Sequence, residues 1–234
     1  MSWPIDPQVS PAMREVYLRG QSNGLNPRAI SIFGDCQSAP EEFLGYYINN
    51  LDAYAALPSE LQETVDRFAE SLTRSSPTSQ PGVTAGALLW SGWPDGDFSN
   101  CLENENPAAC ELRNHRPAIV LINIGTHYED RNERYMRMLI EMLLEQGSIP
   151  IITFKADNRE GNHAINLGNA ALITEYQIPY WNLWAAVDEL PGHNLYTKKG
   201  QEYLGEIYLN EAAQDAQRWT ALQVLNLVWR SVEN

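Results

Sequence analysis

AIVLINIG (Ala118–Gly125), NERYMRMLIEMLLEQG (Asn132–Gly147) and SIPIITF (Ser148–Phe154) form one legible unit in the second half of the chain. The first is a near-continuous apolar run that stops at a glycine, the profile of a parallel strand buried on both faces. In the second, Tyr135, Met138, Leu139, Met142 and Leu143 fall on one helical face and Gly147 is placed as a C-cap. The third is the next strand. Upstream, AISIF (Ala29–Phe33) is another compact apolar run, ended by Gly34-Asp35. Downstream come a helix around Ala164–Tyr176, the run IPYWNLW (Ile178–Trp184) and a long helix from about Glu211 to Val232. Alternating strands and helices imply right-handed crossovers and a mainly parallel sheet with helices on both faces. The expectation is one doubly wound, three-layer α/β/α domain over residues 29–234, preceded by an irregular lead-in over 1–28. ELQETVDRF (Glu60–Phe68) has helical spacing, SLTRSSPTSQPG reads as a loop leading into VTAGALLW, and Ser91–Glu111 reads as loop.

A chain of 234 residues with 44% hydrophobic and 20% charged residues is globular rather than disordered. Its net charge of −14 argues against nucleic acid and anionic membranes as partners, because a polyanion is repelled. No run of about 18 apolar residues occurs, so no membrane span is expected. MSWPIDPQVSP at the start lacks a basic segment followed by an apolar one, which fits a cytoplasmic protein or a mature secreted form. Two of the three cysteines, Cys101 and Cys110, bracket the polar loop CLENENPAAC and are expected to form a disulfide. That pairing favours a secreted or cell-surface location, with the cytoplasm as the alternative, and leaves Cys36 over. No zinc spacing accompanies these cysteines and no Gly-rich phosphate motif is present, so neither a metal nor a nucleotide cofactor is expected.

In doubly wound sheets the ligand site lies outside the carboxyl ends of the strands. Four polar segments meet that condition: GDCQS after the first strand, GTHYED after Ile124, KADNREGNH after Phe154, and NLWAAVDELPGHN after Tyr180.

The order G-D-C at Gly34–Cys36, P-G-V-T at Pro81–Thr84 and I-G-T-H at Ile124–His127 resembles the first three blocks of the SGNH/GDSL hydrolases. TFKADNREGNHAIN (Thr153–Asn166), IPYWNLWAAV (Ile178–Val187) and TALQVLNLVW (Thr220–Trp229) are similar to a bacterial branch of that superfamily. The resemblance implies a flavodoxin-like sheet and esterase or acylhydrolase chemistry. It places Cys36 at the nucleophile position, Asp35 beside it in the turn, Gly82 as the second-block oxyanion glycine and His127 where the third-block asparagine stands. The sequence departs from the pattern in three ways. Cys36 replaces serine, and a thiolate is an able nucleophile once its pKa is lowered. His127 replaces asparagine, as an oxyanion donor or as a base for Cys36. The expected C-terminal Asp-x-x-His is replaced in LPGHNLYTKKGQEYLGE, with Lys198 and Lys199 near the acid's place and Tyr203-Leu204 where His-Leu is expected. His193 is the nearest histidine, with Asp188 or Glu189 as its supporting acid.

Each residue also has a plain reading. Cys36 suits a small buried side chain on a tight turn, with Ser38 as the runner-up nucleophile. His163, Lys155, Asp157 and Asn158 suit a polar network holding a loop, against a substrate-binding role for Asp157 and Asn158. His115 is expected to be exposed. Trp181 and Trp184, at i and i+3, suit the core, with Trp90 and Trp93 the other tryptophans of note; any tryptophan exposed near the site would stack on sugar rings. The expected function is hydrolysis of an ester, on a carbohydrate-linked acyl group, by Cys36 with His193 and Asp188 and with no cofactor. The partner is then a small-molecule or glycan ester. The alternative is a catalytically degenerate domain that binds a glycan or a partner protein.

Overall fold

Each apolar run becomes a strand of one parallel sheet. The computed structural model describes residues 3–92, 100–124, 131–200 and 207–233. In it β1 (Asn26–Gly34), β2 (Pro117–Asn123), β3 (Ile149–Phe154) and β4 (Tyr180–Asn182) lie side by side in that order, all parallel. Every residue of β2 and β3 is buried, because helices cover both faces of the sheet. This is why their sequences run continuously apolar rather than alternating.

The helices are α1 (Pro11–Ser22), α2 (Tyr46–Asn49), α3 (Leu51–Ala55), α4 (Ser59–Leu72), α5 (Ala85–Leu88) and α6 (Pro107–His115) ahead of β2. Then come α7 (Asn132–Gln146), α8 (Ala164–Tyr176), α9 (Leu183–Val187) and α10 (Glu211–Glu233). Helices α4 and α10 pack on each other and reach β1 and β4, while α7 and α8 pack on each other and on β3. The sheet is therefore held between two helix layers, an α/β fold as expected. A short antiparallel pair, β5 (Leu195–Tyr196) and β6 (Tyr208–Leu209), leads into α10. No helix among the described residues is long and apolar enough to cross a membrane.

Four local readings differ from the structure. The lead-in contains α1, started by Pro11 behind a Ser10 cap and burying Met13, Val16, Tyr17 and Gly20 at helical spacing. The prolines and glycines that flank it hide this short stripe. The segment read as loop turns helical at Pro107, where Asn106 Oδ1 accepts the Ala109 N–H at 2.9 Å. In α7 the buried stripe is Met136, Leu139, Ile140 and Leu143, and Met138 faces solvent, because the packing of β3 and α8 selects the face. The run IPYWNLW breaks after Asn182, whose side chain caps α9 through the Ala185 N–H at 3.1 Å. Gly147 ends α7 in the left-handed region at φ 93° as expected, and a Cβ there would lie 2.4 Å from the Cα of Gly20. The Cys101–Cys110 disulfide is formed, tying the loop before α6 into that helix, and Cys36 keeps its thiol.

Candidate active site

The turn after β1 is built around the residues at its crest. Gly34 is pinned by its N–H to the Thr78 carbonyl at 2.9 Å and by its carbonyl to the Gln80 N–H at 3.1 Å. Asp35 is buried, and its carboxylate accepts the Gln37 N–H at 3.0 Å, capping a single 3₁₀ turn over Cys36–Ser38. Ser38 folds beneath that turn, fully buried. Its Oγ accepts the Asn123 Nδ2 proton at 2.9 Å and donates to the Asn123 carbonyl at 3.3 Å. Glycine is required at position 34, since a Cβ there would sit 2.2 Å from Ser38 Oγ. Cys36 rides half-buried on the crest. Ser38, the runner-up nucleophile, is thus a strut under the turn. The Gln80 bond also brings the Pro81–Thr84 loop beside the turn, with Gly82 left-handed at φ 81°.

The turn is tied down from the C-terminal side as well. Gln37 Nε2 donates to the Ile207 carbonyl at 3.0 Å, and Gln217 Nε2 on α10 donates to the Gln37 carbonyl at 3.3 Å. The described stretch that meets the turn just before α10 reads Ile207-Tyr208-Leu209-Asn210 and contains no histidine. Tyr203 and Leu204, the expected place of His-Leu, lie outside the described residues. So does His127.

The end of β3 supplies a buried ion cluster. Lys155 is 1% exposed, and its Nζ lies 2.8 Å from Asp157 Oδ1 and 2.7 Å from Glu160 Oε2. Burial alone would raise the Glu160 carboxyl pKa, but the bond to the Lys155 ammonium and neighbouring backbone N–H groups outweigh it and hold the pKa low. Asp35, Gln37, Asn123, Lys155 and Asp157 line one small void together with Leu195, Ile207 and Leu209. The void offers about 10 Å³ to water, enough for a single molecule. The strand ends therefore converge as the topology requires.

His193 stands at the rim. Its Nδ1 lies 2.9 Å from the Ala156 carbonyl, and its Nε2 lies 3.3 Å from Asp188 Oδ1. The neighbours of its two ring nitrogens are thus the Ala156 carbonyl and the expected acid. Trp184 is half-buried between two imidazoles, His193 at 4.4 Å and His163 at 5.0 Å between ring centroids, both edge-on. Asn158 braces His163, accepting its N–H at 2.8 Å and meeting its Nε2 at 3.1 Å. This bond pair supports the left-handed backbone of His163 ahead of α8. Trp181 is a core residue, stacked on Phe43 with its Nε1 donating to Thr220 Oγ1 at 2.9 Å. Trp90 is exposed, and Trp93 is outside the described residues.

His115 is not exposed as expected. It is half-buried, its Nε2 3.0 Å from both Ser71 Oγ and the Ile30 carbonyl, and burial, helped by the nearby Arg74 charge, lowers its pKa. It adjoins a buried network in which Glu111 accepts hydrogen bonds from Ser31, Arg74 and Ser76. Sequence reasoning missed Asn123, Glu160 and the Ala156 carbonyl. Only Asn123 had a signal, as the one amide interrupting AIVLI-N-I.

No protein-family model and no curated protein matches the chain. Solved structures do. A protein assigned as an acylhydrolase from Bacteroides fragilis matches with a TM-score of 0.53 at 12% identity, over 93% of this chain and 98% of that one. The psychrotrophic esterase EstA from Pseudoalteromonas sp., inhibited by monoethylphosphonate, matches with a TM-score of 0.50 at 13% identity, over 88% and 100%. A GDSL-like lipase from Bacteroides thetaiotaomicron matches with a TM-score of 0.52 at 11% identity, over 92% and 99%. At such identity the likeness is one of fold.

Proposed function

We propose that this chain, which carries the α/β fold of the GDSL-like hydrolases, cleaves an ester bond through Cys36, with a carbohydrate-linked acyl group as the substrate class. The observation that carries this reading is the capped turn at the end of β1, which bears Cys36 and whose Gly34 carbonyl binds the Gln80 N–H two residues before the left-handed Gly82. A thiol, ordinarily of pKa about 8.5, becomes a nucleophile when it loses its proton to a base. In this mechanism the Cys36 sulfur attacks the ester carbonyl, and its proton passes to His193 Nε2. The oxyanion is held by the backbone N–H groups of Cys36 and Gly82. Collapse breaks the carbon–oxygen bond, the leaving alkoxide takes the proton back, and a thioester remains. Water, deprotonated by the same imidazole, then releases the acid and restores the thiol. His127 is the other candidate base. A neutral sugar ester suits a chain of net charge −14, and Trp184 beside His193 offers it a ring. The Cys101–Cys110 disulfide suits an oxidising compartment.

Hydrolysis of p-nitrophenyl acetate tests this reading. Wild-type turnover lost in Cys36→Ala supports it, and turnover unchanged in that variant excludes Cys36 as nucleophile. A second reading has its own support: the void beside the turn admits one water, too little for an acyl group. On that reading the domain is catalytically degenerate and binds a glycan. A wild-type protein that fails to hydrolyse any acyl ester but binds acetylated sugars in calorimetry would select it.

A further inference from the structure

We infer that Lys155, Asp157 and Glu160 are positioning residues for His193: they hold the Ala156 peptide so that its carbonyl takes the Nδ1 proton and Nε2 is left as the basic nitrogen. This rests on the reading of His193 as the base for Cys36.

A fully buried ammonium persists only where carboxylates and hydrogen bonds replace its water. Lys155 Nζ has two such partners, Asp157 Oδ1 at 2.8 Å and Glu160 Oε2 at 2.7 Å, on side chains 4% and 3% exposed. Each partner is itself braced. Asp157 Oδ1 also accepts the Arg159 N–H at 2.9 Å, and Glu160 Oε1 accepts the Ile165 N–H at the start of α8 at 3.3 Å. Asn166 bonds both backbone groups of Lys155, accepting its N–H at 2.9 Å and donating to its carbonyl at 3.0 Å. The residues on either side of Ala156 are therefore locked, and the Ala156 carbonyl between them lies 2.9 Å from His193 Nδ1.

A carbonyl only accepts, so Nδ1 carries the proton. In the neutral ring Nε2 is then the lone pair. Asp188 Oδ1 faces it at 3.3 Å, and an acceptor cannot bond a lone pair. Asp188 is 65% exposed and can turn to water, so it steadies the ring only once Nε2 is protonated. The Ala156 carbonyl thus does for this imidazole what the buried acid does in a Ser-His-Asp triad, fixing tautomer and orientation. The edge-on contact with Trp184 at 4.4 Å fixes the ring plane.

The test reads the side-chain nitrogens of His193 by NMR on protein labelled with ¹⁵N-histidine, at about pH 8 where an ordinary imidazole is neutral. The His193 signals are assigned by their loss in His193→Gln. The wild type is expected to show protonated Nδ1 and bare Nε2. Asp157→Ala and Glu160→Ala, checked for folding by circular dichroism, are expected to mix the two tautomers, and Glu160→Gln, which keeps an acceptor for Nζ, to restore the wild-type pattern. Ester hydrolysis should follow, with kcat down about 10-fold to 100-fold and KM held, a share of the roughly 10²–10⁴ that a placed base supplies. A wild-type His193 protonated on Nε2 overturns the inference without any variant, and so does an unchanged tautomer in folded Asp157→Ala. The tautomer is read without substrate, so a wild type that holds Nδ1 protonated but hydrolyses no ester would fault the assignment of His193 as base and leave the clamp standing.

Discussion

Ser38→Ala separates a strut from a nucleophile. The hydroxyl is fully buried and satisfies both ends of the Asn123 contact, at 2.9 Å from Nδ2 and 3.3 Å from the carbonyl. Removing it leaves the Asn123 amide a buried donor without this partner, which costs about 1–3 kcal/mol. In a chain of this size each kcal/mol moves the melting midpoint by about 2–4 °C, so a loss near 2 kcal/mol lowers Tm by roughly 4–8 °C. The assay is thermal unfolding by circular dichroism, paired with p-nitrophenyl acetate hydrolysis per folded molecule. Ser38→Ala is expected to lose stability and keep most of its turnover; Cys36→Ala should do the reverse. Asn123→Ala should cost a similar amount, and the double variant should cost less than the two together, because both remove one contact. The reasoning is refuted if Ser38→Ala stays within about 0.5 kcal/mol of wild type while hydrolysis disappears, for Ser38 would then be the reacting group.

His115 makes stability depend on pH. Its folded pKa lies below the usual 6.5, so as the pH falls the unfolded chain takes up the proton first; stability is full above 6.5 and is lost as pH falls from there toward the folded pKa. His115→Gln should flatten Tm against pH over that window, and an unchanged slope would remove His115 as the cause. At the alkaline end, burial pushes the Tyr47 pKa up to about 12, so its contribution holds to pH 10 and is lost as pH rises toward 12, and Tyr47→Phe should blunt that loss in a Tm titration. Reducing the Cys101–Cys110 bridge, which spans a sequence separation of 9, frees loop entropy worth about 2–3 kcal/mol in the unfolded chain. Dithiothreitol should therefore lower Tm by several degrees, and a wild-type Tm indifferent to it would show that α6 docks without the bridge.

Much of the fold is local information. The runs at Ala118–Asn123 and Ile149–Phe154 declare themselves because a strand covered on both faces has no polar side to show. Gly147 marks the end of α7 because the left-handed backbone there favours glycine. The turn at Gly34-Asp35-Cys36 is legible for the same reason, since a cap and a close approach need those small or acceptor side chains in that order. Helix α1 was not legible: its buried stripe spans only Met13 to Gly20, too short against the prolines around it.

The site divides along the same line. The places of the candidate residues at the strand ends could be read along the chain: Cys36 after β1, Asp157 after β3, His193 beyond β4. The sequence by itself could not pair them. Asn123 reaches Ser38 across 85 residues only because the β1–β2 register sets Asn123 against Gly34. His193 finds the Ala156 carbonyl, 37 residues away, only because the ion cluster of Lys155 turns that peptide toward it. Chain chemistry is written residue by residue, but hydrogen bonds between distant segments depend on sheet register and on the orientation of single peptides. Tertiary packing alone decides those.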